Sequence, residues 1–247
     1  MNEAEDAAPA TQLREHGIAL LRGSFATDAL TRLKAAATGC FAVIEAGQSL
    51  PEHYKFNGYA NSILLTSLMD FGCSLEDLLT PISAPNLQSL FSEAFSLQGM
   101  GSDCTCNLEQ SWLRKKFPPS HPSDSGHHPQ DWHQDGALGI RFPLNPDQPP
   151  MQSIPMTELL TCWIPLEPCG KDRPGLEFVR GRQPALLHFS ELNDATIRQR
   201  FPPEAFWPPE LAFGDGLVFL NSVLHRTHTL PDMQHSRLSI EYRLFPR

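Results

Sequence analysis

The sequence predicts a mainly β protein, a sandwich or barrel, with helices concentrated in its first hundred residues. Three observations carry this. Beyond residue 100, short apolar runs alternate with Pro, Gly, Ser, Asn and Asp, the pattern of strands joined by turns. The 23 prolines gather in the middle of the 247-residue chain, where they favour ordered loops over long helices. Before residue 100 the apolar spacing is helical instead.

Taken in order, residues 1–10 are acidic and Ala-rich and are expected to be disordered. Residues 17–26 read as a strand ending at Gly23-Ser24. The segment 26–47 reads as a helix: Thr27 or Asp28 can cap it, Leu30, Leu33, Ala37 and Phe41 share a face, and Gly47 closes it. Residues 86–97 form a second helix. The apolar stretch 58–72 between them fits either state. Strands are expected around 107–117, 131–142, 158–166, 175–180, 184–189, 211–213, 216–225 and 236–245. Two Pro-rich loops, 118–131 and 143–155, flank the second of these. Long loops on both sides of one short strand point to a site, and both are candidates for a lid. The length suits one domain over 1–247, with 11–100 as helix-rich support and 101–247 as the β core.

A net charge of −9 and a pI near 5.5 disfavour nucleic-acid partners unless a local basic patch exists. The tightest basic group, Arg114-Lys115-Lys116, reads as a solvated strand end. The N-terminus lacks the apolar core of a signal peptide, and no apolar run approaches the ~18 residues of a membrane span. None of the six cysteines forms C-x-x-C, so they read as reduced thiols of a cytoplasmic protein. Cys104 and Cys106 read as small half-buried residues, because no second pair completes a metal site.

The chemistry gathers around "DWHQDG". On a strand, His133 and Asp135 point the same way and Gln134 points away. One more histidine would complete a 2-His-1-carboxylate face, although the triplet alone is a weak signal. The best third ligand is His225. In the run 216–225 it shares a face with Leu217, Phe219, Asn221 and Val223; both faces are apolar, which places His225 at the end of a buried strand. His228 is the second choice, and His121, His127 and His128 read as exposed loop residues. In the last strand, Leu238, Ile240, Tyr242 and Leu244 form an apolar face. Arg237, Ser239, Glu241 and Arg243 form a polar one. That is the pattern of an exposed edge strand, or of a strand paired with or beside that of His225 and turning its polar face into a cavity. In the second case Arg237 and Ser239 can clamp a distant carboxylate.

Together "EHGIALLRGSFATDAL", "WHQDG", "LLTCWIPLEPCGKDRPGLEFVRGRQ", "GDGLVFLNSVLHRTH" and "SRLSIEYR" resemble, in order and spacing, the Fe(II)/2-oxoglutarate-dependent oxygenases of the phytanoyl-CoA dioxygenase-like branch. The resemblance implies a double-stranded β-helix (jelly-roll, cupin-like) core with helices outside. It implies Fe(II) ligation by His133, Asp135 and His225, and a 2-oxoglutarate carboxylate held by Arg237 with Ser239 or Thr227. Trp163 falls at the family's tryptophan near the co-substrate. Leu113 falls where the best-known members carry a methionine beside it. Gln110, Arg114 and Arg141 are candidates to reach the substrate. The implied activity is oxidation, most simply hydroxylation, of a small organic molecule, with 2-oxoglutarate and O2 converted to succinate and CO2. Asp135 disfavours the halide-binding variant of the site, and no basic groove for a CoA tail is evident. An AlkB-type nucleic-acid demethylase shares the six-residue spacing of Arg237 and Arg243, but the net charge and the short His225-to-Arg237 interval count against it. A non-catalytic jelly-roll binding protein is the other alternative.

Overall fold

A computed structural model describes residues 7–57, 61–99, 101–121, 130–142 and 151–247. Its helices are α1 (Pro9–His16), α2 (Thr27–Glu45), α3 (Leu75–Leu79), α4 (Pro85–Leu97) and α5 (Asp194–Arg200). Its strands are β1 (Ile18–Leu21), β2 (Ser62–Leu64), β3 (Cys104–Cys106), β4 (Trp112–Lys116), β5 (Leu160–Pro165), β6 (Gly175–Val179), β7 (Phe206–Trp207), β8 (Gly216–Leu220), β9 (His225–His228) and β10 (Arg237–Pro246). They form two antiparallel sheets. The larger runs β1-β8-β5-β10-β4-β2, with β3 also on β10; the smaller runs β7-β6-β9.

Helices α1 to α4 pack on the outer face of the larger sheet, whereas α5 buries Ile197 against Val179 and Leu224 on the side of the smaller sheet. Helix α2 buries Leu30, Leu33, Ala37, Cys40 and Phe41, a stripe at three- and four-residue spacing. Beneath it lie Leu113, Cys162, Ile164, Val218 and Ile240 in one apolar cluster reaching from Leu13 to Leu244. The Tyr242 hydroxyl donates to the Leu78 carbonyl at 2.6 Å, which satisfies its one polar atom inside that cluster. The inner face of the same sheet is polar. Arg114, Lys116, Trp163, Arg237 and Glu241 look across a cavity at Leu176, His225 and Thr227 of the smaller sheet.

The register of β10 decides between its two readings. It is central, flanked by β4 and β5, so Arg237, Ser239, Glu241 and Arg243 are all buried on the cavity face. Other expectations change. Helix α1 begins at Pro9, inside the segment read as disordered; Pro9 suits a first helical turn and Gly17, at φ 74°, ends it. Helix α2 has Ala26 at its N-cap and no side-chain cap from Thr27 or Asp28. The ambiguous stretch holds β2 and a 3-10 turn over Leu65–Phe71. Residues 184–189 form no strand, and Leu211 makes one bridge to Cys169.

The 216–225 run is two strands. Val223 N–H bonds back to the Leu220 carbonyl, and the chain crosses from the larger sheet to the smaller before β9. His225 therefore faces β10 across the cavity and does not pair beside it. Of the two Pro-rich loops, 122–129 and 143–150 lie outside the described residues, and with them His127 and His128. No helix among the described residues is long and apolar enough to cross a membrane.

Candidate active site

The segment around His133 is extended but is no strand. His133 and His225 exchange both backbone hydrogen bonds, at 2.9 and 3.0 Å, and form an isolated antiparallel bridge. Thr227 N–H donates to the Gln130 carbonyl at 2.9 Å and Gly136 N–H to the Asn221 carbonyl at 2.8 Å. The 130–136 segment is thus fastened to β9 and to the turn before it. Asp135–Ala137 then closes into a 3-10 turn. Gln134 points away, as expected. Its amide donates to the Ser222 carbonyl at 3.0 Å and accepts from Leu187 N–H at 2.7 Å, pinning the segment from behind.

These bonds bring His133, Asp135 and His225 together, with one ligand atom from each within 4.8 Å of the others. The Nε2 atoms of His133 and His225 lie 4.0 and 3.9 Å from Asp135 Oδ1. Both rings are oriented through Nδ1, which donates to the Asp131 carbonyl at 2.7 Å in His133 and to the Val223 carbonyl at 3.2 Å in His225. A carbonyl only accepts, so each Nε2 keeps its lone pair for a metal. The Gln130 amide nitrogen, 3.0 Å from His133 Nε2, fits that tautomer. Burial and the neighbouring His225 push the His133 pKa down to about 3, so the ring is neutral at physiological pH. Burial lowers His225 as well.

Asp135 is held by residues the sequence reading left unassigned. Arg243 forms a two-pronged ion pair with it, one arm at 2.9 Å, and Thr161 Oγ1 donates to Oδ2 at 2.6 Å. Burial alone would raise this carboxyl. Arg243, His225 and the hydrogen bond from Arg243 outweigh it and hold the group well below the usual range. Arg243 also pairs with Glu241, which takes two bonds from Arg114 at 2.8 and 3.0 Å. The result is a buried ladder, Asp135–Arg243–Glu241–Arg114.

Two spaces meet at the triad. A cleft of about 450 Å³ is lined by Asn57, Trp112, Arg114, His133, Asp135, Leu138 and Arg243 among others. The second space, tight between the sheets, holds His133, His225, Trp163, Thr227, Lys116 and Arg237. The Arg237 guanidinium lies 4.8 Å over the Trp163 ring; it donates from Nε to the Pro174 carbonyl at 2.9 Å and from Nη1 to Ser239 Oγ. Thr227 Oγ1 accepts from Gln130 N–H at 3.0 Å.

Other predicted residues fall elsewhere. Leu113 pairs with Ile240, on the opposite face of β4 from Arg114, and sits in the helix-side core. Gln110 ends the turn before β4 and lines neither space, and Arg141 is exposed outside both. Arg114 reaches both, tied to Glu241. His228 lies in β9 on the face away from His225, and His121 packs on Phe117. The basic group at 114–116 is no solvated strand end: Arg114 and Lys116 are buried toward the cavity, and only Lys115 turns out, to Glu45. The available signal was parity, since 114 and 116 match the alternation of the polar face of β10.

Fold, donor set and likeness to known proteins mark a non-haem iron, 2-oxoglutarate-dependent oxygenase-type enzyme. The chain belongs to the phytanoyl-CoA dioxygenase (PhyH) family, whose model matches residues 13–230. No curated protein sequence is matched. Among solved structures, AviO1 from Streptomyces viridochromogenes Tue57 is similar at 18% identity, covering 96% of this chain and 93% of that one, with a TM-score of 0.61. The epimerase SnoN, in complex with Fe3+, alpha ketoglutarate and nogalamycin RO, is similar at 15% identity, covering 98% and 83%, with a TM-score of 0.60. EctD from S. alaskensis with bound Fe is similar at 17% identity, covering 99% and 78%, with a TM-score of 0.61.

Proposed function

We propose that this chain forms a single catalytic domain that hydroxylates a small organic molecule, converting 2-oxoglutarate and O2 to succinate and CO2. His133, Asp135 and His225 bind Fe(II), and Arg237 with Ser239 and Thr227 holds the remote carboxylate of 2-oxoglutarate. In this reading the two sheets are the halves of a double-stranded β-helix. The observation that carries it is the triad, opening on the cavity that also contains Arg237. The donor chemistry fits: neutral imidazoles and a carboxylate suit Fe(II) and leave positions for other ligands. When bound, iron and 2-oxoglutarate supply the oxidising chemistry.

The chain's own residues supply placement. Arg243 and Thr161 fix the Asp135 carboxylate, and the carbonyls of Asp131 and Val223 fix the imidazoles. Trp163, Leu176, Phe178 and Phe219 exclude water around His225. The cleft on the other side offers Trp112 as a flat surface and Asn57 and Ser62 as hydrogen-bonding groups. Its two arginines are already paired with Asp135 and Glu241, which favours a neutral polar substrate over a thioester with a nucleotide tail.

The test is succinate formation from 2-oxoglutarate under Fe(II) and air against a panel of small hydroxylatable molecules. The reading expects substrate-stimulated succinate and a product 16 Da heavier, the mass of one added oxygen. Formaldehyde release from a methylated oligonucleotide, with no small molecule oxidised, would overturn it. Iron bound with no succinate from any substrate would favour a non-catalytic binding protein.

A further inference from the structure

The larger sheet places Lys116 and Arg237 directly opposite each other on β4 and β10, both facing the cavity. Arg237 is 1% exposed and Lys116 is 3% exposed. Buried like charges at facing positions destabilise a sheet unless something compensates them. The nearby acids are already engaged: Asp135 with Arg243, and Glu241 with Arg114 and Arg243. Arg237 donates only to the Pro174 carbonyl and Ser239 Oγ, with no carboxylate partner among the described residues. Lys116 Nζ has no hydrogen-bond partner among the described residues. A buried amine that makes no hydrogen bond is costly, and more so when protonated, so the position calls for a ligand that would satisfy it.

We propose that Lys116 is a second anchor for the remote carboxylate of 2-oxoglutarate, so that a lysine–arginine pair captures the far end of the co-substrate. This rests on the reading that 2-oxoglutarate binds at Arg237. Two basic groups without acid partners among the described residues match the one carboxylate that end of the molecule carries, with each oxygen free to accept from one of them. The groups facing Lys116 are Arg114 on its own strand, Arg237 and Glu241 on β10, and His133 and His225 across the cavity. Burial, followed by Arg114 and Arg237, brings the Lys116 pKa down to about 7, against a smaller opposing pull from Glu241. Lys116 is therefore largely neutral above that pH while the cavity holds no anion. An arriving carboxylate raises its pKa, so capture takes up a proton.

The experiment is calorimetric titration of 2-oxoglutarate into the full chain loaded with Mn(II), without O2, at pH 8 in HEPES and in Tris. The two buffers differ in ionisation enthalpy, so the pair of heats counts protons. We expect about one proton taken up per 2-oxoglutarate, and none for 2-oxopentanoate, which has the same length but no remote carboxylate. Lys116→Met should abolish the uptake and weaken 2-oxoglutarate roughly ten-fold or more, leaving 2-oxopentanoate unchanged. Equal proton counts for the two keto acids in the wild type would overturn the proposal without any variant. So would Lys116→Met with unchanged 2-oxoglutarate affinity or unchanged proton uptake. Arg237→Met separates the two levels. If it weakens 2-oxoglutarate while Lys116→Met does not, only the lysine's role falls. If neither weakens it, the site reading itself falls.

Discussion

At the residue scale, Arg243 is the support behind the His133–Asp135–His225 cluster. Arg243 orients Asp135 and shares Glu241 with Arg114. Arg243→Met should weaken Fe(II) binding about 10–100-fold, as loss of a metal ligand's supporting partner does elsewhere, read by anaerobic metal titration. Glu241 adds a pH dependence. Burial would raise its carboxyl, but Arg114 and Arg243 hold it below its ordinary value. A depressed carboxylate contributes stability fully above its unfolded pKa and loses it as pH falls. Urea unfolding at successive pH values should therefore show stability dropping below about pH 4, and dropping less in Glu241→Gln. Stability flat from pH 6 to pH 3 would contradict this. The meeting of His133, Asp135 and His225 was legible in the order and spacing of the segments that carry them. The Arg243–Asp135 contact was not, since it forms between a loop and a strand far apart in the chain. Lys116 was misread because sequence alone did not say which face of β4 looks inward.

At the scale of elements, one extended segment carries two of the three clustered side chains, His133 and Asp135. Gly136 lets it pass close to its neighbours: a Cβ there would lie 3.0 Å from both the Asn221 carbonyl oxygen and Met156 Cβ. Gly136→Ala should cost about 1–3 kcal/mol in thermal or urea unfolding and loosen Asp135, lowering metal affinity in the same preparation. Gln134 is the back of the segment. Gln134→Leu strands Leu187 N–H and the Ser222 carbonyl in the interior and should destabilise by about 1–3 kcal/mol. An effect below 0.5 kcal/mol, on the order of an ordinary surface change, would show that the pinning bonds are dispensable. Strands β5, β6 and β10 were readable as the runs 158–166, 175–180 and 236–245, because each lies within one sheet. The break between β8 and β9 was not. Apolar run and turn look alike there, and the crossing is set by bonds to Gly136 and by the change of sheet.

At the scale of the molecule, charge is segregated. The chain carries a net −9, yet the cavity collects Arg114, Lys116, Arg237 and Arg243 against Asp135 and Glu241. An acidic exterior around a cationic interior suits a small dianion entering a closed cavity, and suits a nucleic-acid backbone poorly. The overall class was legible from the alternation beyond residue 100. The helix α1 was not, because its eight residues hold too few apolar positions to stand out.

In the proposed site, His133, Asp135 and His225 hold iron beside a keto acid anchored at Arg237. The most direct measurement is the visible spectrum of the anaerobic protein with Fe(II) and 2-oxoglutarate. A weak charge-transfer band of the chelated keto acid should appear. It should vanish in His133→Ala and in Asp135→Ala, and require more 2-oxoglutarate in Arg237→Met while iron stays bound. A band that persists unchanged in both ligand variants would contradict the account.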